Sequence, residues 1–217
     1  MAAILQKEYK LFVLPLVYLF MAFILMLIIP NYPYTVSFFY TCLGIFFCFQ
    51  MGRENRDVYY MLMLPIEKKD IVKARYLTVL SIEILQMLLC IPMSVIRGKI
   101  LTYPNLAGIE ADVAFYGGAC IIFAVFNLVF FSGYFKDVSK VGISFLKAGI
   151  GTFVALGLVE ASVHIGKALL GTCFWDSMKG EDLVKQIPIL LAGIIIFILA
   201  NLFGYRRDVK HFKGQDF

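Results

Sequence analysis

Leu11–Ile29 reads LFVLPLVYLFMAFILMLII and carries no charge. A helix of about 20 apolar residues crosses roughly 30 Å of hydrocarbon, so this run is long enough to span a bilayer. Pro30-Asn31-Tyr32-Pro33 stops it, and no small-x-small cleavage site follows. It is therefore expected to stay in the protein as a transmembrane helix. The rest of the chain has the same character. Of 217 residues, 61% are hydrophobic and 16% charged, with a mean hydropathy of +0.83. Soluble domains are about 45–50% apolar and about 25% charged. Too little polar surface exists here to coat a water-soluble globule, which puts the chain in the integral membrane class.

Five further apolar runs reach spanning length: 34–51, 76–96, 113–134, 148–170 and 187–204. Only helices and closed barrels satisfy their backbone in lipid. The runs lack the strict alternation of barrel strands, so the expected fold is all-α with six transmembrane helices. No linker divides it, and 1–217 reads as one transmembrane domain. If the N-terminus is placed inside, fifteen of the twenty Lys and Arg residues fall in inner segments. That bias predicts that both termini are cytoplasmic. The net charge of +5 then needs anionic inner-leaflet lipid and no nucleic acid. Tyr9, Tyr32, Tyr34, Tyr103, Trp175 and Tyr205 lie near span ends, as an interfacial aromatic belt would. Of the five cysteines, Cys42, Cys48, Cys90 and Cys120 sit in apolar runs and read as small hydrophobes. Cys173 lies near an outer loop, and no metal spacing is present.

Between the second and third runs the chain turns abruptly ionic. Arg53–Leu77, RENRDVYYMLMLPIEKKDIVKARYL, holds Arg53, Glu54, Arg56, Asp57, Glu67, Lys68, Lys69, Asp70, Lys73 and Arg75. Before Pro65, a charged start leads into Val58–Leu64, which suits a short helix on the membrane interface or against another protein. After Pro65, Glu67 and Asp70 complement the start of a helix that continues into the third span. A solvated loop obeying the positive-inside bias is the simplest reading. The acids go beyond it, because topology depends on Lys and Arg alone. Mixed charge beside Tyr59, Tyr60 and Met61 fits a protein partner better than lipid.

This stretch resembles the intracellular loop of bacterial ABC-2-type transporter permeases, the small six-helix group without a fused ATPase. The similarity rests on Glu54, Asn55 and Asp57, the pair Tyr59-Tyr60, Leu64-Pro65-Ile66, the cluster Lys68-Lys69-Asp70, and Ile71-Val72-Lys73-Ala74-Arg75. The turn after the fourth run departs from the family's proline-containing, Lys/Gly-rich pattern and reads Phe131–Asp137, FSGYFKD. The resemblance implies that 1–217 is a single permease domain. It implies a coupling helix within Arg53–Arg75 that docks on a cytoplasmic ABC ATPase, present in two copies beneath a homo- or heterodimer of permeases. It implies a bacterial plasma-membrane location and export of a peptide, antibiotic or lipid-like substrate. ATP and Mg would bind the partner. This chain has no G-x-x-x-x-G-K-[ST] loop and is expected to bind no cofactor or metal and to be no enzyme. Glu54, Asp57 and Lys69 are expected partner contacts. Arg53, Asn55, Arg56, Tyr59, Tyr60, Pro65, Lys68, Asp70, Lys73 and Arg75 complete the coupling segment.

Polar residues inside the spans need a reason, since a charge at mid-bilayer costs about 2.5–3.5 kcal/mol on insertion scales. Glu83 and Gln86 share a face of the third span and line either a translocation path or a helix contact. Glu160, His164 and Lys167, at i, i+4 and i+7, share a face of the fifth. They form a cavity wall, a re-entrant feature reaching Trp175, or a network that locks helices. Gly149, Gly151 and Gly157 before them permit close packing. Asn127 and Asn201 suit interhelix hydrogen bonds, and Asn127 is also a candidate for the translocation path. Two other classes remain: the substrate-capture subunit of a vitamin-type importer, and an intramembrane enzyme. The first span has one Ala and no Gly, unlike the small-residue motifs of the importer class. No H-E-x-x-H exists for a zinc protease.

Overall fold

The computed structural model describes residues 1–100, 105–170, 174–177 and 180–215; Tyr103, Pro104, Cys173 and Lys179 lie outside them. All regular structure among the described residues is helical. Helix α1 is Ala2–Lys7, widened into a π turn over Glu8–Phe12; α2 is Pro15–Met21, tightened into 3-10 geometry over Ala22–Ile28. Then come α3 (Val36–Glu54), α4 (Asp57–Met63), α5 (Lys68–Ile100), α6 (Val113–Tyr134), α7 (Val141–Leu170) and α8 (Gly180–Lys213). Helices α3, α5, α6, α7 and α8 are long and apolar enough to cross a membrane. The sixth candidate is the pair α1 and α2, bent by 76°.

That bend corrects the first expected span. Leu11–Ile29 is not one helix, because Val13 and Leu14 are extended, with ψ of 109° and 145°. Pro15 is the cause. Its ring disfavours helical geometry in the residue before it, and it has no N–H to donate. Pro15 instead occupies the first helical position of α2, where the missing donor costs nothing. The Leu14 N–H finds Cys48 Sγ at 3.3 Å. Pro92 and Pro188 lie inside α5 and α8 without ending them, as neighbouring helices in a membrane allow. Glu160–Leu170 simply continues α7, so no re-entrant turn begins at Glu160.

Helix α6 is the axis of the bundle, flanked by α7 and α8. Phe115, Phe123, Phe126, Phe130 and Phe131 along it are fully buried. Lipid offers no hydrophobic drive for helices to associate, so backbones must approach closely to gain packing. Glycines on α6 and α8 allow it. A Cβ at Gly193 would sit 2.4 Å from the Gly117 carbonyl oxygen, and one at Gly117 would sit 2.8 Å from that of Ile189. On the α7 side a Cβ at Gly118 would meet Val159 at 2.8 Å, and one at Gly133 would meet Ser144 Oγ at 2.5 Å. Of the three α7 glycines expected to pack closely, Gly149 and Gly157 face open space and Gly151 nears Val125 at 3.3 Å. The outward faces of α7 and α8, with Ile150, Leu158, Leu191, Ile195 and Leu199, are exposed and apolar, as lipid-facing surfaces are.

Both chain ends meet at one end of the bundle. Lys68 Nζ donates to the Gln215 carbonyl at 2.6 Å, and Gln215 Nε2 donates to that of Phe135 at 2.9 Å. Replacing Gly193 with Val should force α6 and α8 apart. Overpacking costs roughly 1–3 kcal/mol, and a backbone obstacle puts this case at the upper end. Gly157→Ala, with nothing near it, should leave stability unchanged or raised. Denaturation in mixed micelles tests both, and equal stability of the two variants would refute the close contact of α6 and α8.

Candidate functional site

Helix α4 hangs between α3 and α5 at the chain-end side. Arg56 turns the chain into it with φ of 52°, in the left-handed region, which costs a non-glycine residue about 1 kcal/mol or more. The neighbouring acid holds this turn in place. The Asp57 carboxylate pairs with both Lys7 and Arg75. The Arg75 guanidinium also meets Glu8 at 2.7 Å and lies 3.5 Å from the centre of the Phe12 ring. Arg75 and Glu8 are essentially inaccessible to solvent. This network joins α1, α4 and α5 into one body, so α4 cannot move without them.

The outer face of α4 is different. Tyr59, Tyr60, Met63 and Leu64 are exposed, with Met63 at 84%. Glu54, Asn55 and Arg56 rim it on one side, with Pro65, Glu67 and Lys69 on the other, all exposed. Arg53 donates to the Ser139 carbonyl at 3.3 Å, tying α3 to the turn between α6 and α7. Lys69 pairs with Glu67 at 2.8 Å, lowering the Glu67 pKa and raising its own. Asp70 is half-buried, Lys73 is exposed, and Lys68 holds the C-terminal segment. Of the three residues expected to contact a partner, Glu54 and Lys69 face outward. Asp57 faces inward and is committed to Lys7 and Arg75. A family model described as an ABC-2 family transporter protein matches residues 2–205. The chain belongs to the ABC-2 transporter family. No curated protein and no solved structure matches it. Family membership makes it a membrane protein of a transporter.

Inside this permease, the polar residues of the spans form separate groups. Asn127 Nδ2 donates to Glu83 Oε2 at 2.9 Å and to Asn201 Oδ1 at 3.1 Å, linking α5, α6 and α8. Gln86 is fully buried, and neither atom of its amide has a hydrogen-bond partner among the described residues. Glu83 Oε1 and Asn127 Oδ1 also lack one. Glu160, His164 and Lys167 make no direct contact with one another among the described residues. Glu160 accepts from the Thr35 N–H, the Thr35 hydroxyl and the Ile109 N–H, clasping the loops before α3 and α6. His164 is exposed. Lys167 pairs with Asp176 at 2.6 Å.

The end opposite the chain termini is closed by a network that spacing along the chain does not reveal. Arg97 pairs with Glu110 at 2.9 Å and donates to the Tyr34 hydroxyl at 3.1 Å. The Glu110 N–H donates to Asp176 at 2.8 Å. Asp112 caps α6 at the Phe115 N–H and also accepts from Ser177 N–H, both at 3.1 Å. Gly108 is needed here, since a Cβ on it would overlap Glu160 Oε2 at 1.5 Å. Burial raises the Glu110 pKa and pushes that of Asp112 up to about 7. The only sequence signal for this group is a pair of acids beside a loop; their partners are brought from distant segments.

These ionic groups can be tested through stability. Arg75→Met leaves the Glu8 and Asp57 carboxylates to share Lys7 as their one cation, and breaking a buried pair costs about 3–5 kcal/mol. Arg75→Met with Glu8→Leu, which keeps the Lys7–Asp57 pair, should recover most of it, and denaturation of both variants decides. At the far end, the folded protein holds the Asp112 proton more tightly than the unfolded chain. Stability should therefore fall as pH rises from about 4 to about 7 and then level off. Asp112→Asn should flatten that decline in melting curves, and an unchanged slope would exclude this carboxyl.

Proposed function

We propose that this ABC-2 family protein is the permease subunit of an ATP-driven exporter in the bacterial plasma membrane, working as a dimer above two copies of a cytoplasmic ABC ATPase. The observation that carries the reading is the build of α4. An exposed Tyr59–Tyr60–Met63–Leu64 face sits on a body locked by Arg75 to α1 and α5. Aromatic residues and Met are enriched at protein interfaces, and the surrounding mixed charge sets register rather than affinity. A push on this face passes through the Asp57–Arg75 pair into α5, a 33-residue helix that carries Glu83 and Gln86. In this reading the chain ends are cytoplasmic, ATP and Mg bind the partner, and ATPase closure drives alternating access. Glu54 and Lys69 supply outward charge for docking. Asp57 and Arg75 transmit movement. Glu83, Gln86 and Asn127 line the route of a peptide, antibiotic or lipid-like cargo, while Glu160 and Lys167 hold the far end shut between cycles.

Mild extraction of the tagged chain from its native host should bring down an ATPase in stoichiometric amount. Truncating a central interface Tyr costs on the order of 2 kcal/mol or more. Tyr60→Ala with Met63→Ala should therefore lose the ATPase at least tenfold while melting like wild type. Retention of the ATPase by that variant would remove α4 as the interface. Repeated recovery of the wild-type chain without any ATPase would remove the exporter reading itself.

A further inference from the structure

A groove of about 410 Å³ runs between α5 and α8. Its wall on α5 is Lys73, Leu77, Leu80 and Ile84, and Ile198 and Tyr205 face them from α8. From Lys73 to Ile84 the helix rises about 16 Å at 1.5 Å per residue. That is about half of a hydrocarbon core roughly 30 Å thick, so the groove is as deep as one leaflet. Its exposed lining is apolar throughout. The Tyr76 hydroxyl donates to Asp208 at 2.6 Å, and the Asn201 amide is engaged by Asn127 and the Phe197 carbonyl, so neither offers a headgroup a free hydrogen bond. The one charge sits at the mouth, where Lys73 is exposed and has no ion-pair partner among the described residues. The mouth opens at the end of the bundle where the Lys and Arg residues of the chain ends and of Arg53–Arg75 gather.

We propose that this groove is a binding site for one acyl chain of a resident anionic phospholipid, with its phosphate on Lys73. The length matches a leaflet, the lining matches a hydrocarbon chain, and the single unpaired cation matches the headgroup. An occupant there wedges α5 against α8, the helices bridged inside by Glu83, Asn127 and Asn201.

The test uses the full chain in bicelles of equal phosphatidylglycerol and phosphatidylcholine, extracted gently and weighed by native mass spectrometry. One retained phosphatidylglycerol per chain is expected, preferred about fivefold over phosphatidylcholine, as a single surface lysine provides. Lys73→Gln should abolish the preference, and Lys147→Gln, at an exposed lysine on α7 away from the groove, should not. Leu80→Trp and, separately, Ile198→Trp should fill the groove and shed the lipid. Melting curves show whether each Trp variant is folded; if neither is, the Lys73→Gln ratio decides. Equal lipid retention by folded Trp variants, or an unchanged ratio in Lys73→Gln, overturns the proposal. So does a chain dimer that forms through this groove and that the Trp variants break apart. Release of the lipid on adding ATP and the partner ATPase would identify it as cargo and overturn its resident role.

Discussion

Arg75 carries a charge it cannot lose, because a guanidinium stays protonated in proteins. Only 1% of the residue is exposed. A buried cation without partners is far too costly to keep, so carboxylates have to be brought to it, and the chain-end side of the molecule is shaped by that delivery. Glu8 arrives because the chain breaks at Val13–Leu14 and folds α1 back beneath the bundle. Asp57 arrives because Arg56 accepts a left-handed turn. Phe12 arrives with the π turn that also buries Glu8. Pro15 sets the break, and the three irregular pieces of backbone together supply the partners of one positive charge.

Much of the architecture was legible because hydrocarbon imposes simple rules. The fourth apolar run, 113–134, matches the bounds of α6. The runs at 76–96 and 187–204 lie within α5 and α8, where proline did not interrupt the helix. The charged start and apolar body before Pro65 became α4. The first run failed at Pro15, because hydropathy alone does not register the geometry that a proline imposes on the residue before it. The expectation of glycine packing held at Gly151 and not at Gly149 or Gly157, and the closest approaches belong to Gly117, Gly118 and Gly193, whose neighbours come from other helices.

The candidate site was legible as a segment, not as contacts. Nothing local distinguishes Asp57, which turns inward, from Glu54, which turns outward. The difference comes from Arg75, eighteen residues on, and from Lys7, fifty residues back. Glu160, His164 and Lys167 share a helical face as their spacing requires, but a face is not a neighbourhood. Loops from distant parts of the sequence cover Glu160 and leave His164 outside. Periodicity shows which side chains point together, and only the tertiary fold shows what they meet.

The fold-back of α1 also has a consequence in time. Chains leave the ribosome N-terminus first, at about 5–20 residues per second. Lys7 and Glu8 are therefore made long before Arg75, with two hydrophobic stretches inserted in between. For those seconds the first dozen residues are an unfinished clasp. It shuts only when the head of α5 emerges, so Glu8 has to wait for a partner made 67 residues after it.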